Sequence, residues 1–569
     1  MWRGRWMRGC LYLLLSLLCC CSGFSRPVAV MALSGAQPEN VLEAELVQWI
    51  ARVSIASDGT PGNGVSKEPT ISGDGRYVAF SSTADNLVSE DTNECSDVFV
   101  HDLRTRETVR VSVGTGGVEA NSSSSDPHIS GDGRYVTFAS SADNLVISDT
   151  NEAQDIFVHD LETGQTTRLS VNSAGEEGNN SSHTSSISAD GRYVILVSSA
   201  TNLIFNATNS YETDVNGPYA DIFLHDRQTG ETYLVSLTSD GQQADGVSGD
   251  NGRPGISKDG RFIVFNSWAD NLAGENSGEI SLDRVYVRDR EHGETSIVSI
   301  ASPDSYITSF SWYPSISADG SSVAFLSEMN QMVSGEQNLC QGFSGQPCPH
   351  VYVRNLVSGE LVRVSVNSQG AQARDGYSQE PQISADGNYV VYASVATNLV
   401  LNDTNNFCNN DGERHLNYSC YDIFLHDLTT SETFRVSVTP DGREGNENSY
   451  SPTVSAQGRY IAFVSKADNF VENDTNDVAD VFVVGVPGSE PPAPVETNQD
   501  CTPTPTLEPT PTPIVVIAPS GTSTPETTPP GAQENETDTG VFSALLQRPF
   551  LIFVLVLGIC GLLSLIGVY

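Results

Sequence analysis

The stretch Ile71-Ser72-Gly73-Asp74-Gly75-Arg76-Tyr77-Val78-Ala79-Phe80 decides the fold, because the chain repeats it. Its opening, hydrophobic-Ser-x-Asp-Gly, returns from Ile129, Ile187, Ile256, Ile316, Ile383 and Val454, at intervals of 58, 58, 69, 60, 67 and 71 residues. The last copy carries Gln457 in the aspartate place. A period of this size denotes an array of supersecondary units, not a core built around one unique site.

Four strand signals surround each turn. In the first copy, Pro69–Ser72 leads into Asp74-Gly75, a hairpin signal in which both residues tolerate positive φ. Tyr77–Ser81, Asp97–His101 and Val109–Val113 follow, each β-branched or alternating. Four antiparallel strands per repeat is the make-up of a propeller blade. The fourth strand recurs as Arg168–Val171, Leu234–Leu237, Ile297–Ile300, Arg363–Val366 and Arg435–Val438, but the seventh unit lacks one. Its counterpart, Arg52-Val53-Ser54-Ile55, stands ahead of the first turn. The expected fold is therefore an all-β, seven-bladed β-propeller of four-stranded antiparallel blades, closed by the N-terminal strand so that no open edge remains. An open solenoid would leave that strand unexplained.

The repeated set Ile-Ser-x-Asp-Gly-Arg-Tyr-Val-x-Phe, Asp-Val-Phe-Val-x-Asp-Leu and Arg-Val-Ser-Val resembles the TolB-like family of WD-like propeller repeats, over residues 51–486. TolB itself places an α/β domain before six blades. This chain has no room for that domain and counts seven. The resemblance implies the fold, not TolB's partners.

Five segments are expected. Residues 1–36 read as a secretory signal, with Arg3, Arg5 and Arg8 before an apolar run and small residues at Ala32 and Ala36. Cys19–Cys21 leave a lipoprotein signal as the alternative. Residues 37–489 form the propeller. Residues 490–540, rich in Pro, Thr and acidic side chains, read as a disordered stalk, able to span on the order of 150 Å if extended. Residues 541–549 are juxtamembrane, and 550–569, uncharged throughout, suffice for a transmembrane helix. Membrane anchorage with the propeller on the extracytoplasmic side follows.

The net charge of −42 excludes nucleic acid as a partner, since phosphates demand a basic face. Of eleven cysteines, Cys340 with Cys348 and Cys408 with Cys420 share loops in successive repeats and are expected as disulfides. Zinc with His350 or His415 is the alternative.

One motif suggests calcium. Asp-Thr-Asn-x-x-x-Asp is intact as Asp91, Asn93, Asp97; as Asp149, Asn151, Asp155; and as Asp474, Asn476, Asp480. Alternating oxygens suit calcium, while Asp and Asn equally close turns on their own backbone. The pairs His101-Asp102, His159-Asp160, His225-Asp226 and His426-Asp427 recur at one place in the repeat, which indicates a turn role rather than catalysis. No nucleophile elbow, zinc motif or phosphate loop is present. The expected function is non-enzymatic binding or scaffolding of an envelope or extracellular protein or glycan, on the face bearing the long loops. The rival readings are a glycan-acting hydrolase using carboxylates of the propeller face, and a calcium-dependent structural module.

Overall fold

A computed structural model describes residues 46–204, 219–272, 282–301, 309–329, 332–333, 348–405, 420–472 and 474–492. Seven four-stranded antiparallel sheets follow one another as blades. Their inner strands are Ser66–Ile71, Ser124–Ile129, Ser182–Ile187, Gly255–Ile256, Ser311–Ile316, Ser378–Ile383 and Ser449–Val454. The seventh blade takes its outer strand from the N-terminal side. Trp49–Arg52 pairs with Asp480–Gly485, from Trp49 opposite Gly485 to Arg52 opposite Phe482. The ring is closed. The signal, stalk, juxtamembrane and transmembrane segments lie outside the described residues, and no described helix is long and apolar enough to cross a membrane.

The core is divided among the junctions between blades. Seven buried apolar clusters stand one at each junction, including the seam where Val53, Val78 and Phe80 meet Ala462, Val464 and Val481. Within six blades a ring of the second strand stacks on one of the third. Phe80 and Phe99, 5.9 Å between centroids, are an example.

Three details differ from the sequence expectation. In the Ser-x-Asp-Gly turn only Gly75 has positive φ, at 77°. Asp74 instead accepts from Ser72 Oγ and from the Arg76 amide at 2.7 and 3.0 Å. Gly75 is required twice over, because a Cβ there would also strike the Tyr460 ring of the seventh blade. The outer strand of the first blade is Thr108–Arg110, not Val109–Val113. Beyond Arg110 the Val111 amide still bonds the Val98 carbonyl at 2.8 Å, while the Ser112 side chain accepts the Val98 amide at 3.1 Å and donates to Asp97 at 2.5 Å.

The third difference lies in the inner strands, which carry a two-residue bulge in five blades. Glu68, Asp126, Tyr313, Glu380 and Ser451 adopt φ of 51 to 57° there, each just before a proline that has no amide to give the ladder. Carboxylates staple these bulges across blades. Glu68 Oε2 accepts the Asp126 amide at 2.9 Å, and Glu380 Oε2 accepts the Ser451 amide at 2.7 Å.

Candidate functional site: the Asp-Thr-Asn loops and the channel cavity

The loops between second and third strands lie at one end of the propeller with the returns from outer strand to next blade. Thr92 bonds Glu119 across them through both amide and hydroxyl. The short turns share the other end, where Arg76 grips Asp102 through two nitrogens at 3.0 and 2.6 Å.

At the long-loop end the expected carboxylates do converge. Asp91, Asp97 and Glu119 have oxygens within 4.8 Å of one another, as do Asp149, Asp155 and Glu177. An arginine stands among them. Arg110 Nη1 lies 3.5 Å from both Asp91 and Asp97 and 2.5 Å from Glu119, with its side chain 7 % exposed. Arg168 repeats this in the second blade, and Arg52 contacts Asp474 and Asp480 at 2.9 and 3.2 Å in the seventh. The asparagines turn their amide nitrogens inward. Asn93 Nδ2 donates to Asp97 at 3.0 Å and to the Ala120 carbonyl at 2.9 Å, while its oxygen accepts the Cys95 amide. Asn151 and Asn476 do the same around Asp155 and Asp480.

The fit to a divalent cation is accordingly partial. The carboxylates suit one, but a guanidinium holds the centre and the asparagine oxygens are engaged elsewhere. Burial first, and then the neighbouring Asp97 carboxylate, push Asp91 up to about 6. Asp149 rises to about 6 in the same way beside Asp155. In the sixth blade Asp403, Asn405, Asp422 and Arg435 make the same knot despite the cysteine-bearing insertion between Asn405 and Asp422. The sequence shows Asp403 and Asn405 kept in this blade and parted from Asp422 by the insertion, and the fold brings the three together.

The His-Asp pairs are structural. Asp102 caps the third-to-fourth turn at the Arg104 amide, 2.8 Å away. His101 Nδ1 meets Thr108 Oγ1 at 2.8 Å, and that hydroxyl donates to the Ile55 carbonyl at the seam with the seventh blade. Burial pulls His101 down to about 4, so it is neutral at pH 7. His159, His225 and His426 repeat the contact. Cys348 and Cys420 are buried, while Cys340 and Cys408 lie outside the described residues. His350 bonds Ser365 Oγ at 3.1 Å.

Sequence reasoning missed the central feature at the opposite end. A cavity of about 650 Å³ occupies the Ser-x-Asp-Gly end of the channel, with lining from all seven blades. Its wall is the first residue of each motif: Ile71, Ile129, Ile187, Ile256, Ile316, Ile383 and Val454. Its rim is the small x position, where turn amides link around the ring. Examples are Gly73 N to Gly131 O at 2.9 Å and Ala456 N to Gly73 O at 3.0 Å. Lys258 is the exception among these x residues. One residue before the wall sits a polar ring that ties blade to blade. Thr70 Oγ1 accepts the Ile129 amide, His128 Nδ1 the Ile187 amide, and Ser315 Oγ the Ile383 amide, at 3.1 to 3.3 Å. The repeated isoleucines were visible in the sequence. Their convergence on the axis was not, because it depends on ring closure.

Arg253 also lines the cavity. It donates to the Pro127 carbonyl at 2.8 Å and pairs with Asp126, bridging the fourth and second blades.

No family model matches the chain, and no curated protein sequence matches it. Solved structures do. An oligogalacturonate lyase from Vibrio parahaemolyticus aligns with 77 % of this chain and 94 % of its own, at 14 % identity and a TM-score of 0.45. TolB from Acinetobacter baumannii aligns over 75 % and 79 %, at 13 % identity and 0.31. An acylaminoacyl peptidase from Pyrococcus horikoshii aligns over 74 % and 51 %, at 11 % identity and 0.40. The likeness is one of fold. The propeller architecture read from the repeats stands on the seven four-stranded sheets themselves, and the neighbours' differing activities assign none to this chain.

Proposed function

We propose that this chain is a membrane-anchored, extracytoplasmic binding module without catalysis of its own, and that its ligand sits in the channel cavity. The observation that carries this is the cavity itself: ligand-sized, walled by seven aliphatic side chains, and set in a rigid ring. The repeated polar groups that invite a catalytic reading are instead engaged in turns and blade junctions. The extracytoplasmic placement rests on the signal at 1–36 and the apolar run at 550–569. Envelope or extracellular molecules are the partners this placement offers.

Two measurements test the reading. Photolabelling of the intact chain in membranes with a short alkyl diazirine is expected to mark the Ile71–Val454 ring, and Ala318→Trp, which fills the cavity from its rim, is expected to abolish the mark. Equal labelling of both proteins sinks the site. Protease added to intact cells is expected to release the propeller by cutting within 490–540. Full protection behind an intact membrane overturns the placement.

One observation favours a hydrolase as the second reading. Glu68 and Asp126 face one another across two blades with pKa values driven apart, Glu68 lowered by its hydrogen bonds against burial and Asp126 raised by burial. Against it, both carboxylates hold structural partners, the Asp126 amide and Arg253. Oligosaccharide turnover that disappears in Asp126→Asn, with melting unchanged, would establish this reading in place of the first.

A further inference from the structure

An arginine recurs just after the Ser-x-Asp-Gly turn, and four blades supply it with a carboxylate. Arg76 with Asp102, Arg134 with Asp160, Arg192 with Asp226 and Arg261 with Asp289 make the same fork, Nε at 3.0 Å and Nη2 at 2.6 to 2.8 Å. The aspartate ends the third strand, opposite the residue that follows the arginine, as Asp102 stands opposite Tyr77. The fifth blade drops both partners and carries Ser321 and Asn355; the sixth keeps the acid, Asp427, beside Asn388. The seventh alone keeps the arginine without the acid. There Tyr460 stands opposite Gly485, and Gln457 replaces the turn aspartate.

Ring closure produces this difference. The third strand of the seventh blade makes no turn into a fourth, because Trp49–Arg52 from the N-terminal side pairs with it. The Trp49 indole fills the space beside Gly485, where a Cβ would strike it, and its Nε1 donates to Ser489 Oγ at 3.0 Å. The chain leaves past Arg459, whose Nε lies 3.3 Å from where a Cβ on Gly488 would stand. Among the described residues, the guanidiniums of Arg459 and of Arg104 in the first blade have no hydrogen-bond or ion-pair partner.

Both guanidiniums line a cavity of about 600 Å³ at the seam of the first and seventh blades. It shares only Gly73 with the channel cavity. The other charged side chains of its lining are Arg76, Asp74 and Glu490. Arg76 is engaged by Asp102, and Asp74 accepts from Ser72 Oγ and the Arg76 amide. Glu490 is exposed, its amide donating to Tyr460 Oη at 2.9 Å. These two acids limit the charge the cavity takes. One carboxylate completes Arg459 on the planar fork that four other blades display, whereas the second charge of a phosphate meets Asp74 and Glu490.

We infer that this seam is a second ligand site, for a monocarboxylate whose anionic group makes on Arg459 the fork that Asp102 makes on Arg76. The rest of the ligand lies along Tyr460 and Leu103, and Arg104 adds its charge to the attraction. The site goes beyond the channel-cavity reading and does not depend on it.

Phenylglyoxal, which condenses with accessible guanidiniums, tests this on the full chain in membranes, with modified arginines mapped by mass spectrometry. Arg459 is expected to react about tenfold faster than Arg76, Arg134, Arg192 and Arg261, the scale of one charge-assisted hydrogen bond. Benzoate is expected to protect Arg459 at on the order of 1–10 mM, the range of a single guanidinium–carboxylate fork. Benzamide, of the same shape without the charge, should not protect, and phosphate at equal ionic strength should protect less. Glu490→Gln is expected to lower the protecting benzoate concentration about threefold, the scale of one exposed charge pair. Saturation transfer from the protein to benzoate should weaken in Arg459→Gln, with melting unchanged. Slow modification of Arg459 without added anion overturns the inference, because a group of the protein then already holds it. Equal protection by benzamide, stronger protection by phosphate, or undiminished transfer in Arg459→Gln overturns it as well. None of these outcomes touches the channel cavity, whose own labelling experiment stands apart.

Discussion

At the long-loop end, the knots around Asp97, Asp155, Asp422 and Asp480 are near copies: a serine and an asparagine donate to the carboxylate and an arginine closes over it. At the other end, the cavity ring carries Thr70, His128, Ser186, Gly255, Ser315, Gln382 and Thr453 at one structural position. Polar groups that repeat do so because every blade poses the same local problem, closing a loop on its neighbour. At the cavity ring the same duty, accepting an amide of the neighbouring blade, is met by different side chains such as Thr70, His128 and Ser315, so identity can vary there and ligand selectivity belongs with that variation. In a repeat protein, departure from the consensus is the better guide to function.

The largest expected effect tests the ring on which both ends depend. Deleting residues 46–56 removes the outer strand of the seventh blade and uncovers its edge. It strips Val53 from the seam and Ser54 from Asp480. A loss of about 4 kcal/mol or more in unfolding free energy is expected, from ladder bonds and buried apolar area together. An unchanged denaturation curve would refute closure by this strand.

Next comes the knot itself. Asp97→Ala leaves Arg110 without its buried partner and Ser112 without its acceptor, and is expected to destabilise by about 3 kcal/mol. Chemical denaturation should find a smaller loss for Gln382→Glu, in the cavity ring. If the two losses are equal, the distinction between scaffolding and variable positions fails.

The pH dependence of the knots is finer. Asp91 and Asp149 hold their protons more tightly in the folded chain, at about 6, than at their ordinary 3.8. The stability they contribute is therefore greatest at low pH and is lost as pH rises through 6. The double variant Asp91→Asn with Asp149→Asn is expected to melt higher than the parent at pH 7.5 and to show no advantage at pH 4. A constant difference across that range would show that these carboxylates are not shifted.

The smallest expected effect concerns calcium. With a guanidinium already among the carboxylates, millimolar calcium and a chelator are expected to give melting curves within about 1 °C. A larger rise that vanishes when Asp91, Asp149 and Asp474 are changed to Asn would show the ion displacing Arg110, Arg168 and Arg52.

How much was legible follows from range. The seven units, the permuted strand and the turn role of the His-Asp pairs were readable because each is written within one repeat. The bulges at Glu68 and Asp126 were not. Nothing local marks a residue before proline for positive φ, and the carboxylate that takes the Asp126 amide comes from Glu68 of the adjacent blade. Arg110 likewise showed itself in sequence only as a strand residue. Its place among Asp91, Asp97 and Glu119 requires the return loop to bring Glu119 back beside it.

The sequence by itself determined the blades, their number and the means of closure, because strand pairing and turn chemistry act over a few residues and recur. The tertiary structure alone decided what the ring does with its ends. Side chains scattered from Ile71 to Val454 become one wall only when the circle is complete. Whether a carboxylate meets calcium or arginine depends on which neighbour folding delivers to it.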